Sequence, residues 1–362
     1  MKELSKSHDF DWWLLAIVFA LCSISLLQIY SATRNSPFAG MHWRQMTWIM
    51  VGLVVLLVVS RIDYHTILDQ APWLYLLALA ALVAVLVFGQ TRFGAKRWLP
   101  VLGAILQVSE LVKLIIIIML ARFFGEVRSD RLSLPDLVKA AVLTGVPLFL
   151  ILLQPDLGTA LVLVPVAVVG AFLAGIQWKH AVALLLLAAL MLPLGWHGLK
   201  PYQKERIETF LRPEEDPRGS GYQILQSKIA VGSGGFWGKG IGRGSQNQGG
   251  FVPVRYSDFI MAALAEELGF GGVLVTLLLF MALLLRLVQN AQRANDRAGM
   301  FLVMGVAAVL GFHLLVNVGM VIGYMPVTGI PLPLLSYGGS ATLFVFLALG
   351  MVMNVRVRRF VN

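Results

Sequence analysis

Ten apolar runs, separated by short polar connections, leave this chain few folds to choose from. They lie near 12 to 30, 44 to 60, 72 to 89, 107 to 124, 137 to 153, 157 to 175, 180 to 196, 258 to 287, 300 to 323 and 338 to 355. A helix rises about 1.5 Å per residue, so runs of this length cross an apolar slab roughly 30 Å thick. With 58% apolar and 13% charged residues in a chain of 362, there is more apolar sequence than a soluble core of that size could bury. The expectation is an all-α polytopic membrane protein, a single transmembrane domain over 1–362 with about ten transmembrane helices. Lys2 and Lys6 precede a first run longer than the apolar region of a signal peptide, which reads as a retained span. The single Cys22 lies inside that run, so neither an intramolecular disulfide nor a cysteine metal cluster can form.

Ten crossings put both termini on one side. Assigned to the cytoplasm, they give the cytoplasmic segments thirteen basic residues (Lys2, Lys6, Arg61, Arg122, Arg128, Arg131, Lys179, Arg286, Arg293, Arg297, Arg356, Arg358 and Arg359), against five in the short outside loops (Arg34, Arg44, Arg92, Lys96 and Arg97). Cytoplasmic loops carry the excess of Lys and Arg, so both termini are expected inside. The formal charge of +10 is scattered between apolar runs, which suits orientation and anionic membrane lipid and gives no patch for nucleic acid. One long polar segment, about 197–257, then faces outside; its nine basic residues do not oppose this, because long loops translocate largely regardless of charge. No internal repeat and no matched pair of interrupted helices marks a carrier.

The glycines of Gly232 to Gly244 satisfy neither a P-loop nor a dinucleotide fingerprint, since Gly240 follows Lys239 where Ser or Thr is required. Two readings stand: a flexible connector, or exposed backbone N–H groups that cradle a diphosphate with Lys228, Lys239 and Arg243. Asp258 opens the eighth run after Ser257, where position alone favours a helix cap. A carboxylate at that water interface, partly buried, would also have its pKa raised toward that of a useful base. Glu266 and Glu267 lie deeper on the same helix, and Glu110 and Lys113 stand three apart on one face of the fourth run. Ionisable groups at such depth face a partner or a cavity, so a hydrated cavity shared by Lys113, Glu110 and Glu266 or Glu267 is expected. Arg97 and Trp98 sit in an outside loop as either an anionic-headgroup site or an interfacial anchor. His313 and Asn317, four apart, read as interhelical hydrogen-bonding groups, and Pro331 to Ser340 as a re-entrant or bent connector.

Lys96-Arg-Trp98, Ser109-Glu-Leu-Val-Lys113, Gln154-Pro-Asp-Leu-Gly-Thr159, Tyr202-Gln-Lys-Glu-Arg206, Gly221 to Gly235, Ser257-Asp258-Phe259, Ala265-Glu-Glu-Leu-Gly269 and Pro331 to Ser340 together resemble the SEDS family (shape, elongation, division and sporulation). The match runs in order over nearly the whole chain, and Lys228 with Gly238-Lys-Gly240 is similar to the rod-shape branch more than the division branch. The resemblance implies a peptidoglycan glycosyltransferase that polymerises lipid II on the outer face of the bacterial cytoplasmic (inner) membrane. It also implies a class B penicillin-binding protein and other elongation-complex proteins as partners. The family's essential aspartate falls on Asp258, and its fourth-span lysine and glutamate fall on Lys113 and Glu110. One departure stands out: the family pattern before this aspartate is Leu-Pro-Glu, a variable residue and His-Thr, whereas this chain has Val252-Pro-Val-Arg-Tyr-Ser257.

The expected reaction is an inverting glycosyl transfer with Asp258 as general base. Arg97, Lys113, Arg206 and Lys228 are the cations expected near the departing diphosphate, with Trp98, Glu110 and Glu266 beside the substrate. Diphosphate leaving groups suit a divalent cation (Mg²⁺ or Mn²⁺), for which the sequence fixes no site. The competing readings are a lipid II flippase, which would also use a charged intramembrane cavity, a scaffold that recruits the crosslinking enzyme, and the division branch of the family.

Overall fold

The computed structural model describes residues 10–92, 95–101, 104–127, 131–198, 201–216 and 219–359. Lys2, Lys6, Arg128, Lys200 and Arg218 lie outside the described residues. All ten apolar runs are helical: α1 (Trp12–Thr33), α2 (Met41–Val59), a short α3 (Tyr64–Asp69) between runs, α4 (Ala71–Phe88), α5 (Val108–Glu126), α6 (Leu134–Leu153), α7 (Leu157–Leu173) and α8 (Trp178–Gly198). The long polar segment then contributes α9 (Pro201–Leu211), α10 (Ser220–Ser233) and α11 (Ser245–Gln248), and the last three runs form α12 (Ile260–Gln292), α13 (Arg297–Val321) and α14 (Gly339–Val357).

Seven described helices meet a plain length and hydropathy criterion for crossing a membrane. Two of the other runs depart from it for visible reasons: α5 carries Glu110 and Lys113, and α7 has 17 residues. Helix starts follow local chemistry. Asp11, Ser133 and Asp156 accept hydrogen bonds from the backbone N–H groups of Leu14, Asp136 and Thr159, which lack intrahelical partners.

The α13 helix is the centre of the bundle and packs on α5, α7 and α12. Small residues set the close approaches; a Cβ on Gly52 would lie 2.4 Å from the Phe346 ring, so α2 and α14 meet at that glycine. One end of the bundle is stapled electrostatically: Asp11, 1% exposed, pairs with Arg286 at 2.9 Å and Arg356 at 3.1 Å and accepts from Asn290. In contrast, α8 is exposed along nearly all its described length.

Two local structures differ from the sequence expectation. The stretch around Arg97 is a small antiparallel sheet in the order β1 (Gln90–Arg92), β2 (Ala95–Val101), β3 (Ala104–Gln107), with Trp98 opposite Gln107. The glycine-rich segment is a backbone splint for a broken helix. Within α12, Gly269 has φ 66° and interrupts the helical ladder. The groups so freed bond to the segment: Lys239 N and Gly240 N donate to the Glu266 and Glu267 carbonyls, and Phe270 N and Gly271 N donate to the Gly235 and Phe236 carbonyls. Interrupted backbone at membrane depth survives only where protein satisfies it, which is what this contact does. Glycine is required because the two backbones touch: a Cβ on Gly238 would lie 2.2 Å from the Glu267 carbonyl oxygen. The segment is therefore neither a loose connector nor, at these N–H groups, a free phosphate cradle.

Candidate active site

Asp258 occupies the turn before α12, whose N-cap is Phe259 with no side-chain capping bond. The carboxylate thus does not cap the helix, the role that position alone favours. Its Oδ1 accepts from the Ser257 hydroxyl at 3.0 Å. Burial pushes the Asp258 carboxyl above the ordinary carboxylate range, against the opposing pull of the Ser257 hydrogen bond and the Arg97 and Arg206 charges. One side is left open by Gly329 (φ +71°), on which a Cβ would stand 3.6 Å from Asp258 Oδ2.

The turn is fixed by the connector between α13 and α14. Ser336 Oγ donates to the Ser257 carbonyl at 2.7 Å and Tyr337 N donates to the Tyr256 carbonyl at 3.0 Å. Asn317 Nδ2 reaches both the Asp258 and the Ile330 carbonyls. These bonds bring residues 256–258 and 328–337 together as one rigid shelf, and Arg206 on α9 donates to it at the Thr328 carbonyl, 3.4 Å away.

Arg97 arrives from β2. Its Nη1 lies 3.3 Å from Asp156 Oδ1, and the same carboxylate caps α7 and accepts from Gln107 Nε2 and Ser109 Oγ. Asp156, absent from the residues expected in the site, is thus the group that aims Arg97. Nothing local in the sequence gives this away, since its partners lie about 50 residues upstream. Trp98 is the next residue on the strand and is partly exposed.

Lys113 and Glu110 lie beneath the shelf and not in the open site. Both are buried; Lys113 Nζ donates to Glu110 Oε1 at 2.9 Å, faces His313 Nε2 at 3.3 Å and stands 4.5 Å above the centre of the Phe344 ring. His313 Nδ1 lies 2.9 Å from the Pro331 carbonyl, which can only accept, so Nδ1 carries the proton and Nε2 accepts from the ammonium. The pair is in this way linked through His313 to the shelf that carries Asp258. A cavity of about 10 Å³, lined by Glu110, His313 and Pro331, adjoins it and is about the size of one water.

The hydrated cavity expected between Lys113, Glu110 and Glu266 or Glu267 is not formed. Glu266 accepts from Lys239 Nζ at 2.8 Å and from Gln246 N and Asn247 N, while Glu267 accepts from Ser31, Asn247 and Gln248. Both carboxylates serve the glycine segment, because the helix break at Gly269 brings that segment alongside them. Lys228 also stands apart from Asp258: it lies against Gly323, beyond the end of α13. The structure therefore brings Arg97 and Arg206 to Asp258, with Trp98 adjoining. Lys113 and Glu110 form a support below, and Glu266 and Lys228 take separate places.

The fold and this site define a multi-pass membrane protein with a partly buried carboxylate and two guanidinium groups at one end of its helix bundle. The profile of the FTSW_RODA_SPOVE family, described as "Cell cycle protein", matches residues 10–360, and the chain belongs to that family of bacterial membrane proteins. It is 40% identical over 350 residues to the peptidoglycan glycosyltransferase MrdB of Escherichia coli, covering 96% of this chain and 94% of that one. It is 33% identical to the peptidoglycan glycosyltransferase RodA of Treponema pallidum, over 97% of this chain and 98% of the other. Among solved structures, a chain of a peptidoglycan synthase complex that coordinates polymerization and crosslinking superposes with a TM-score of 0.84 at 35% identity, covering 98% of this chain and 99% of that one. Thermus thermophilus RodA superposes with a TM-score of 0.73 at 29% identity, over 98% of each chain.

Proposed function

We propose that this chain is a peptidoglycan glycosyltransferase that polymerises lipid II on the outer face of the cytoplasmic membrane. Its termini are then in the cytoplasm, and a class B penicillin-binding protein crosslinks the strands it makes. The observation that carries the reading is the partly buried Asp258 carboxylate, which caps no helix and lies within the influence of the Arg97 and Arg206 charges. Asp258 takes the proton from the acceptor GlcNAc 4-hydroxyl, and that oxygen forms the new bond to the anomeric carbon of the donor MurNAc. The bond from that carbon to the diphosphate oxygen breaks with inversion, and its electrons leave on the undecaprenyl diphosphate. Arg97 and Arg206, preorganised by Asp156 and Thr328, stabilise that growing negative charge.

Lys113 is enclosed between Glu110, His313 and Phe344, so its contribution in this mechanism is to hold the shelf. The described residues contain no group of three His, Cys, Asp or Glu side chains suited to a metal ion. A cation carried by the substrate would be held mainly by its own diphosphate oxygens.

The test is purified protein with its partner transpeptidase in vesicles loaded with labelled lipid II. Glycan strands are expected. Translocated but unpolymerised lipid II would replace this reading with a flippase.

A further inference from the structure

A cleft of about 490 Å³ opens beside the turn that carries Asp258, a size within the range of ligand-binding cavities. Its walls include Asn35 and Phe38 from the α1–α2 connection, Gln248, and Val254, Arg255 and Tyr256. The last three lead directly into Ser257 and Asp258, so the cleft lies within about two residues' reach of the carboxylate, roughly 7 Å. Phe38 and Tyr256 form a tilted aromatic pair with ring centres 5.3 Å apart, and Tyr256 is held from behind by Tyr337. Asn35 and Gln248, hydrogen-bonded to each other at 3.0 Å, give the rim an amide pair. Half-exposed aromatic faces next to amides suit the apolar face and the hydroxyl and acetamido groups of an amino sugar.

Charge narrows the ligand further. Arg255 is the one charged residue among the described residues lining the cleft. Its Nε donates to the Ala32 carbonyl at 2.8 Å, and its Nη1 points toward Gly250 on the cleft wall, on which a Cβ would stand 3.3 Å away. Among the described residues no carboxylate pairs with it; burial lowers its pKa, and Tyr256 opposes the fall. A half-buried guanidinium without an acidic partner favours an anion. Val254 beside it is 41% exposed with φ 48° at the mouth of the cleft and is uncharged, so the cleft stays positive.

We infer that this cleft is a subsite for an amino-sugar glycan segment bearing carboxylates, with the sugar against Phe38 and Tyr256 and a carboxylate of its attached peptide on Arg255. The inference rests on the glycosyltransferase reading. Within it, the cleft holds the strand next to the reacting sugar and makes this enzyme prefer strands that keep an acidic stem peptide. A lipid phosphate offers Arg255 the same charge, but it does not use the aromatic pair or the amide rim.

The test measures binding of uncrosslinked glycan strands to the detergent-solubilised full-length protein, with strands that retain stem peptides, the same strands stripped by an amidase, and dispersed phosphatidylglycerol. Peptide-bearing strands are expected to bind about tenfold tighter than stripped ones, a difference of about 1.4 kcal/mol. Val254→Glu and Arg255→Gln are expected to abolish that preference, and Phe38→Ala to weaken both strand types about tenfold. Val254 is exposed, so Val254→Glu reads the charge effect without disturbing the fold. Asp258→Ala is expected to bind strands as the unaltered protein does, which separates failure of the cleft from failure of the catalytic assignment. Equal binding of both strand types, an unchanged preference in Val254→Glu, or displacement of strands by phosphatidylglycerol would overturn the subsite.

Discussion

Asn317 Nδ2 donates at 2.9 Å to the Asp258 carbonyl and at 2.9 Å to the Ile330 carbonyl, so one buried amide joins the start of α12 to the connector before α14. Asn317→Leu keeps the volume and strands two buried carbonyls, at a cost of about 1–3 kcal/mol each. The expected result is a lower Tm and a kcat for lipid II polymerisation reduced at least about tenfold, with KM nearly unchanged. Steady-state kinetics with thermal unfolding in detergent check it, since a purely structural amide would move Tm alone.

The raised pKa of Asp258 fixes the sign of the pH dependence. A general base acts ionised, so kcat falls as pH drops through a value above the ordinary ~3.9 of an aspartate. Arg97 opposes the rise, so Arg97→Gln removes a charge that favours the carboxylate and moves the acid limb to still higher pH. A pH profile of both forms decides it; a limb that stays in place would remove Arg97 from the carboxylate's surroundings.

Lys113 and Glu110 form a buried ion pair, and removing one partner leaves the other charge without compensation, at about 3–5 kcal/mol. Lys113→Met is therefore expected to lower the Tm strongly. The double variant Lys113→Met with Glu110→Leu should recover stability while leaving polymerisation impaired, because the His313 link to the shelf stays broken. The two Tm values and one activity measurement make the comparison.

Gly238→Ala places a Cβ 2.2 Å from the Glu267 carbonyl oxygen at a residue with φ +78°. The splint on the Gly269 break is expected to come loose. Limited proteolysis between residues 233 and 248 should become faster in this variant, whereas an unchanged cleavage rate would mean that the segment does not depend on the contact.

The membrane architecture was legible in the sequence because hydropathy is a local property: every apolar run became a helix. The position of Asp258 at the head of α12 was legible from the start of the eighth apolar run. What escaped was pairing over long sequence distance. Nothing around Asp156 reveals that it aims Arg97, and Glu266 beside Glu267 looked like the lining of a cavity because the break at Gly269 is a backbone event that hydropathy does not register. Lys113 and Glu110 are expected from the sequence to share a hydrated cavity, whereas in the structure they pair with each other at 2.9 Å. The enclosure of Lys113 by His313 and Phe344 depends on α13 and α14, about 200 residues downstream, and changes it from an expected phosphate ligand to a support.

The central claim is that Asp258 is the base of glycosyl transfer. Purified Asp258→Asn, assembled with its partner transpeptidase and given labelled lipid II, tests it most directly. The account predicts folded protein, with a Tm equal to or above the unaltered form because a partly buried carboxyl has been neutralised, and no glycan strands. Strands of ordinary length made at the ordinary rate would contradict it.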